Sequence, residues 1–187
     1  MKKKLLAVLL GLAMVLSFSL LTGCGSGDSG ETKTADDPAA ECAKLIDEIY
    51  VQEWTDDTYE KCEAAKAAWD ALTDEQKEQV EGEEASSDYF GLDTGDASKD
   101  DPLNQDEIGE NELLVVSFGT SFNDSRTEDI GGIEKALQES NPDWSVRRAF
   151  TAQIIINHIY ARDGEKIDNV DQALRRAVDN GVPTGSK

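Results

Sequence analysis

Hydroxyl groups and a glycine follow an apolar segment in the second half of the chain, in the run Ser117–Ser121. The preceding residues, Leu113–Val116, form a continuous apolar run, which predicts a strand buried on both faces of a parallel sheet. In open α/β sheets, ligands bind beyond the carboxyl ends of the strands. A Gly-containing loop that leads from there into a helix N-terminus suits a carboxylate or a phosphate. Many such loops only turn the chain, so both interpretations stay open on this pattern alone.

A second strand end of this kind follows Ser145–Phe150, which is also predicted to be a strand. Because parallel strands end at the same edge of a sheet, we expect Thr151 to lie near the first loop. The two strand ends together supply the candidate ligand-binding positions. These are Ser117, Gly119, Thr120, Ser121 and Thr151.

The elements that must position these loops follow the order β-α-β-α-α, which places the region in the α/β class. Asn123-Asp124 is predicted to cap the first helix. Residues 152–162 are predicted to form the second helix, which Asp163-Gly164 ends. The apolar residues expected on the core faces of the first and third helices are Ile130, Ile133, Ala136 and Leu137, and Val170, Ala173, Leu174 and Val178.

The composition excludes two kinds of site. The 187 residues carry 18 Lys plus Arg against 39 Asp plus Glu, a net charge of −21. No basic surface is therefore expected to neutralise a run of nucleic-acid phosphates. A single histidine, His158, excludes a site built from several imidazoles. Its apolar neighbours predict a helix, and we expect a structural histidine at the helix surface rather than a metal ligand.

Residues 39–82 are predicted to form a small helical hairpin, because apolar residues recur there at helical spacing. Thr73 and Gln76 have the form of a capping box that opens a short third helix ending near Gly82. Cys42 and Cys62 both lie on the apolar faces. They form either a disulfide or two buried thiols, and no third Cys or His lies close enough in sequence to make them a metal site.

Residues 83–111 are acidic and rich in Gly and Ser, which predicts a solvated linker. Its aspartates suggest a calcium loop, but their spacing does not fit one. Counted from Asp93, the EF-hand positions that require Gly and Glu hold Ser98 and Asn104.

The first 23 residues have the form of an export signal, with three lysines followed by an apolar run that ends in Leu21-Thr22-Gly23 before Cys24. This order resembles a bacterial lipoprotein signal, in which Cys24 would be acylated and the mature chain held on the outer face of the cytoplasmic membrane. Residues 24–38 are predicted to be a flexible tether.

Several motifs of the α/β region closely resemble the anaerobic sirohydrochlorin cobaltochelatases, class II chelatases of cobalamin synthesis related in fold to ferrochelatase. They occur in the family's order between about Glu112 and Val182. The motifs are Leu114–Ser121, Arg147–Thr151, Arg162-Asp163-Gly164 and Ile167–Val170. The resemblance implies an amino-terminal part of a Rossmann-like half, with a second half completing a cleft for a tetrapyrrole.

The resemblance further implies that Co²⁺ (or Fe²⁺) is inserted into a sirohydrochlorin-like tetrapyrrole while two protons leave the pyrrole nitrogens. The family performs this reaction with histidines and a glutamate placed downstream of the matched residues. His158 corresponds to none of them. No metal ligand, catalytic residue or bound cofactor is therefore expected in this chain, although the family to which its motifs point is enzymatic.

After Val182 the relatives continue into a third strand, whereas Pro183–Lys187 suits a central strand poorly. We therefore expect residues 112–187 to be a partial chelatase domain without activity of its own. A second hypothesis is an exported, lipid-anchored carrier of a metal, haem or another tetrapyrrole, since cobalamin synthesis is cytoplasmic. A third hypothesis, a surface spacer built on residues 39–82, leaves the α/β motifs without a purpose.

Overall fold

Two parallel strands, β1 (Glu112–Ser117) and β2 (Ser145–Phe150), form the sheet in a computed structural model that describes residues 37–181. Their register runs from Glu112 beside Ser145 to Ser117 beside Phe150. Within the described residues the sheet has these two strands, so one edge of β1 has no strand beside it. The side chains of β1 are mostly half-buried, and Val116 is 47% exposed. The expectation that β1 is buried on both faces is wrong.

The crossover between the strands is helical but changes its winding. Helix α4 (Asn123–Ser125) continues through a π-helical turn (Arg126–Ile130) into α5 (Gly131–Ser140). A π turn inserts an extra residue and rotates the face of the helix that follows. As a result Glu134 is buried, whereas Ile133, predicted for the core face, is 60% exposed. Asn123 lies inside the first turn, and its side chain does not cap the helix.

The remaining α/β elements are α6 (Gln153–Asp163) and α7 (Val170–Asp179), so the predicted order β-α-β-α-α and the α/β class are confirmed. Gly164 ends α6 in the left-handed region at a φ of 72°, which glycine adopts without steric cost. On α7, Ala173 is buried, but Leu174 and Val178, both predicted for the core face, are exposed.

The amino-terminal helices are α1 (Pro38–Ile49), α2 (Thr58–Asp70) and α3 (Asp74–Lys77). Pro38 opens α1, where its missing N–H costs nothing, so it belongs to the helix rather than to the predicted tether. The capping box of Thr73 and Gln76 is present. Helix α3 ends at Lys77, earlier than the predicted end near Gly82. No helix between residues 37 and 181 is long and apolar enough to cross a bilayer.

Cys42 and Cys62 are free thiols buried in the core between the hairpin helices. The structure thus contains the two buried thiols and not the disulfide. Burial raises the pKa of Cys42 to about 11 and that of Cys62 to about 12. The Cys62 thiol donates to the carbonyl oxygen of Asn157 on α6, at 3.5 Å. The hairpin therefore packs directly against the α/β region.

Residues 83–111 also pack against the rest of the chain, so the expectation of a solvated linker is wrong. Tyr89 and Phe90 are buried in the hairpin core. The Asp47 carboxylate of α1 accepts hydrogen bonds from the amides of Glu83, Glu84 and Ala85 at 2.8–2.9 Å. The segment was expected to contact solvent, but at these residues it contacts the rest of the protein instead.

Asp100, in the same acidic segment, joins two buried arginines. Its carboxylate accepts from Arg126 Nε at 2.5 Å and from Arg148 Nη1 and Nη2 at 2.6 and 3.0 Å. Arg148 also binds Glu134, and Arg126 also binds Glu165. Burial alone would raise the pKa of Asp100, but the bonds and charges of Arg148 and Arg126 outweigh it and lower that pKa. These five side chains are called the buried ion cluster below.

His158 is a structural histidine, as predicted, but it lies in an aromatic layer rather than at the helix surface. Its ring stacks on Tyr89 with a centroid separation of 4.3 Å and meets Phe90 edge-on at 5.8 Å. Burial, and then the charge of Arg162, lower the pKa of His158 to about 4. The imidazole is therefore neutral at physiological pH.

His158 should make the stability of the chain depend on pH. The unfolded chain binds a proton on His158 near its ordinary pKa of 6.5, whereas the folded chain does so only near 4. Stability is therefore lost as pH falls between these values. We expect the native chain to lose about 3 kcal/mol more than His158→Phe between pH 7 and pH 4, measured by urea unfolding. The phenyl ring keeps the stacking partner, so equal losses in both proteins would contradict the assignment.

Candidate functional site

The predicted strand-end loops lie side by side at the carboxyl edge of the sheet. Ser117, the last residue of β1, is in register with Phe150, the last residue of β2. The Thr151 amide donates to the Ser117 carbonyl oxygen at 2.9 Å, and the Ala152 amide donates to that of Phe118 at 3.3 Å. These bonds fix the two loops to each other. The structure therefore brings the five candidate residues to one edge, called the strand-end edge below.

Gly119 is required by the geometry of the first loop. Its φ of 95° lies in the region that favours glycine, and a Cβ at this position would overlap the ring of Phe150. Phe150 is fully buried and cannot move aside. This glycine therefore has a packing reason, and the close approach of the loop to the end of β2 depends on it.

Some polar groups of the first loop form hydrogen bonds that stabilise the loop itself. Thr120 Oγ1 accepts from the Phe122 amide at 3.2 Å, and the Ser121 carbonyl oxygen accepts from Arg162 Nη2 at 2.7 Å. Ser117 Oγ is buried and has no hydrogen-bond partner among the described residues. Thr151 is exposed at the edge. The Thr120 hydroxyl hydrogen remains available to an acceptor, whereas the Ser117 hydroxyl is buried.

Three consecutive backbone donors face no acceptor in the part of the chain that the structure describes. They are the amides of Gly119, Thr120 and Ser121. Adjacent N–H groups of this kind form a concave site for an anion without any charged side chain. The first loop therefore offers backbone amides, rather than cationic side chains, to an acidic ligand.

Two aromatic residues of the strand-end edge were not predicted as site residues. Phe118 is 64% exposed and Phe122 is 48% exposed, on either side of the glycine and hydroxyl run. Exposing two large rings in a turn five residues long is costly unless a ligand or partner covers them. The signal was present in the sequence, since a turn seldom carries phenylalanine at both ends.

Arg162 supports the first loop from α6 and was also not predicted as a site residue. Its Nη2 contacts the Ser121 carbonyl oxygen, Asn123 Oδ1 at 3.0 Å and Asp163 Oδ2 at 2.6 Å. The guanidinium is buried and its Nη1 has no partner within residues 37–181. Arg162 thus joins α6 to the start of α4 directly beneath the free amides.

No metal centre is found among the described residues, in which no group of three or more His, Cys, Asp or Glu side chains is arranged to hold an ion. His158, the one imidazole, is stacked on Tyr89 within the aromatic layer. The edge therefore offers amides, hydroxyls and aromatic rings. Such groups bind an apolar molecule that carries carboxylates.

A cavity of about 470 Å³ lies elsewhere, between α5, β2 and the segment around Asp100. Leu103, Gln138 and Val146 line it and also line a neighbouring cavity of about 390 Å³. Residues of the buried ion cluster line the larger cavity, and neither cavity is lined by a residue of the strand-end loops. The strand-end edge is therefore an open surface and not part of these cavities.

Residues 111–183 match the protein family described as cobalt chelatase (CbiK). Over 69 residues the chain is 45% identical to the sirohydrochlorin cobaltochelatase of Salmonella typhimurium. The aligned stretch is 37% of this chain and 26% of that protein, so the chain spans about a quarter of the length of this curated relative. No solved structure gives a significant match.

These findings confirm the resemblance stated from the sequence motifs, and they confine it to the α/β region. The matched residues include both strands, the crossover, α6 and α7, as expected for a Rossmann-like chelatase half. The hairpin and the acidic segment lie outside the match. Over residues 111–183 the chain is therefore similar to the cobalt chelatase (CbiK) family.

Proposed function

We propose that the strand-end edge binds a carboxylated tetrapyrrole of the sirohydrochlorin type. One observation supports this most directly. The loop 117–122 combines three free backbone amides with two exposed phenylalanine rings. A tetrapyrrole presents the complementary chemistry, since it has a flat apolar ring system with carboxylates at its rim.

The amides of Gly119, Thr120 and Ser121 would receive one carboxylate of the tetrapyrrole. Hydrogen bonds from neutral donors to an ionised acceptor are stronger than those between neutral groups. The chain carries a net charge of −21, which repels anionic ligands at long range. Short-range amide contacts are therefore needed to hold the ligand, and salt should strengthen its binding by screening the repulsion.

The rings of Phe118 and Phe122 would contact the face or the edge of the macrocycle. Exposed apolar surface contributes to binding in proportion to the area that the ligand covers. Aromatic rings add a preference for offset stacking or edge-to-face contact with another π system. These side chains would therefore supply most of the affinity, and the amides would fix the orientation.

In the cobalt chelatase reaction proposed for the parent family, Co²⁺ (or Fe²⁺) is a substrate inserted into the tetrapyrrole, as anaerobic cobalamin synthesis requires. Two protons must leave the pyrrole nitrogens, which calls for a base near the bound ring. The His158 imidazole is buried against Tyr89, and its pKa is about 4. We therefore assign tetrapyrrole binding to residues 37–181 and propose that this chain alone does not insert the metal.

A second candidate function is a carrier that binds the tetrapyrrole without transforming it. The groups at the strand-end edge favour this alternative, because all of them are binding groups. An exported and lipid-anchored form, as the amino-terminal sequence suggests, would suit a carrier better than an enzyme of a cytoplasmic pathway.

Phe118→Ser should weaken tetrapyrrole binding by the full chain roughly five- to thirtyfold, because a lost aromatic contact costs on the order of 1–2 kcal/mol. Fluorescence titration with sirohydrochlorin measures this. Ile133→Ser is the matched control, since it removes an equally exposed apolar residue from α5 and should leave the affinity unchanged. Equal affinities in all three proteins would contradict the proposed site.

The same titration with Co²⁺ present tests whether this chain alone inserts the metal. A binding chain should give, at most, a spectral change that saturates at one equivalent of tetrapyrrole. Turnover beyond one equivalent would contradict both the carrier and the proposal that the chain alone is inactive.

We also propose that Cys24 is lipid-modified; this residue lies outside those the structure describes. Metabolic labelling with a fatty-acid analogue in a bacterial host should mark the native chain and the Cys42→Ser variant equally. Cys24→Ser should carry no label, because the acylated position has been removed. Label that persists on Cys24→Ser would contradict the anchor.

A further inference from the structure

The loop that closes the hairpin reaches the beginning of α6, 101 residues further along the chain. Gln52 Oε1 accepts a hydrogen bond from the amide of Gln153 at 2.8 Å. Gln153 is the first residue of α6 and stands two residues after Thr151 of the strand-end edge. Gln52 belongs to the part of the chain that lies outside the cobalt chelatase match.

Helix α6 depends on this contact because it has no cap of its own. Its N-cap residue is Ala152, which makes no side-chain hydrogen bond to the first turn. Alanine is among the poorest N-cap residues because it offers no acceptor. Gln52 supplies the missing acceptor from the hairpin. The first turn of α6 is thus held by a residue distant in sequence.

A chain of side-chain amides extends this connection into the interior. Gln153 Nε2 donates to Asn157 Oδ1, and Asn157 Nδ2 donates to the Ile49 carbonyl oxygen, each at 2.9 Å. Gln153 Oε1 accepts from Asn169 Nδ2, also at 2.9 Å. Gln153 and Asn157 are buried, so these bonds are shielded from water. They join the end of α1 to the first residues of α6 and the N-cap of α7.

The turn that Gln52 holds is the turn that fixes the strand-end loops. Thr151 and Ala152 donate to the carbonyl oxygens of Ser117 and Phe118, and both lie directly before Gln153. We infer that Gln52 is a positioning residue for the strand-end edge, which it orders through the first turn of α6. The effect of Gln52 on tetrapyrrole affinity rests on the proposed function. Its support of the turn does not depend on that proposal.

The inference gives the hairpin a part in ligand binding without direct contact with the ligand. The loop 117–122 carries the donors and the aromatic rings, and the turn at 151–152 sets its position. A shift of that turn would misplace the amides relative to the aromatic rings. A loop that is already ordered before binding loses less conformational entropy when the ligand binds, so binding is more favourable.

Amide hydrogen exchange of the full chain tests the support of the turn without any ligand. Gln52→Ala should raise the exchange rate of the Gln153 amide about tenfold, as expected for a lost cap. Gln52→Glu keeps the acceptor and should restore slow exchange. Gln79→Ala removes an exposed glutamine elsewhere and should change nothing. Unchanged exchange in Gln52→Ala would overturn the inference.

Sirohydrochlorin titration of the same three variants tests the effect on the site. Gln52→Ala should bind several times more weakly than the native chain, with Gln52→Glu close to native, while exchange in the α1 core stays unchanged. Native affinity in Gln52→Ala, combined with faster exchange at Gln153, would overturn the role in binding. If the native chain itself binds no tetrapyrrole, the proposed function fails, and the exchange data alone decide whether Gln52 supports the turn.

Discussion

Two guanidinium groups buried in one small domain are the constraint on which the rest of the structure depends. Arg126 and Arg148 are both inaccessible to water, and a buried charge without partners would cost several kcal/mol. Asp100 binds both with one carboxylate, Glu134 adds a second partner for Arg148, and Glu165 adds a second partner for Arg126. Arg148 comes from β2 and Arg126 from the crossover, so the cluster fixes the strand to the helix that follows the first loop. Removing Asp100 would leave two buried guanidinium groups with one carboxylate partner each.

Asp100 lies outside the cobalt chelatase match but binds two arginines within it. Residues 37–110 are therefore part of the folded domain rather than an attachment to it. The hairpin contributes a thiol contact to α6, an aromatic layer around His158 and the amide chain from Gln52. The loops with the binding groups thus belong to the region that matches the family. The residues before that region fix the position of those loops. In this chain, residues 37–110 cover one side of α6 and give the two-stranded sheet a second source of support.

Local patterns in the sequence predicted the elements well. The apolar run of β1, the glycine after α6 and the capping box at Thr73 each depend on neighbouring residues, and they appear as expected. Features that depend on distant partners were missed. Asp100 resembled its solvated acidic neighbours, because nothing local indicates that two arginines bind it. The burial of Glu134 in place of Ile133 follows from a π turn that periodicity does not reveal. Likewise, the sequence predicted the position of the strand-end edge. Phe118, Phe122 and Arg162 could be recognised as residues of that edge only from their exposure and contacts in the structure.

Residues 37–110 and the α/β region should unfold as one unit, because Asp100 joins them. Native-state hydrogen exchange on Asp100→Asn, with the exposed Asp88→Asn as control, measures this. Amides in α1 and in β2 should lose the same free energy of unfolding in Asp100→Asn, about 3–5 kcal/mol, and none in the control. Amides of α1 that keep their protection while those of β2 lose it would contradict the claim.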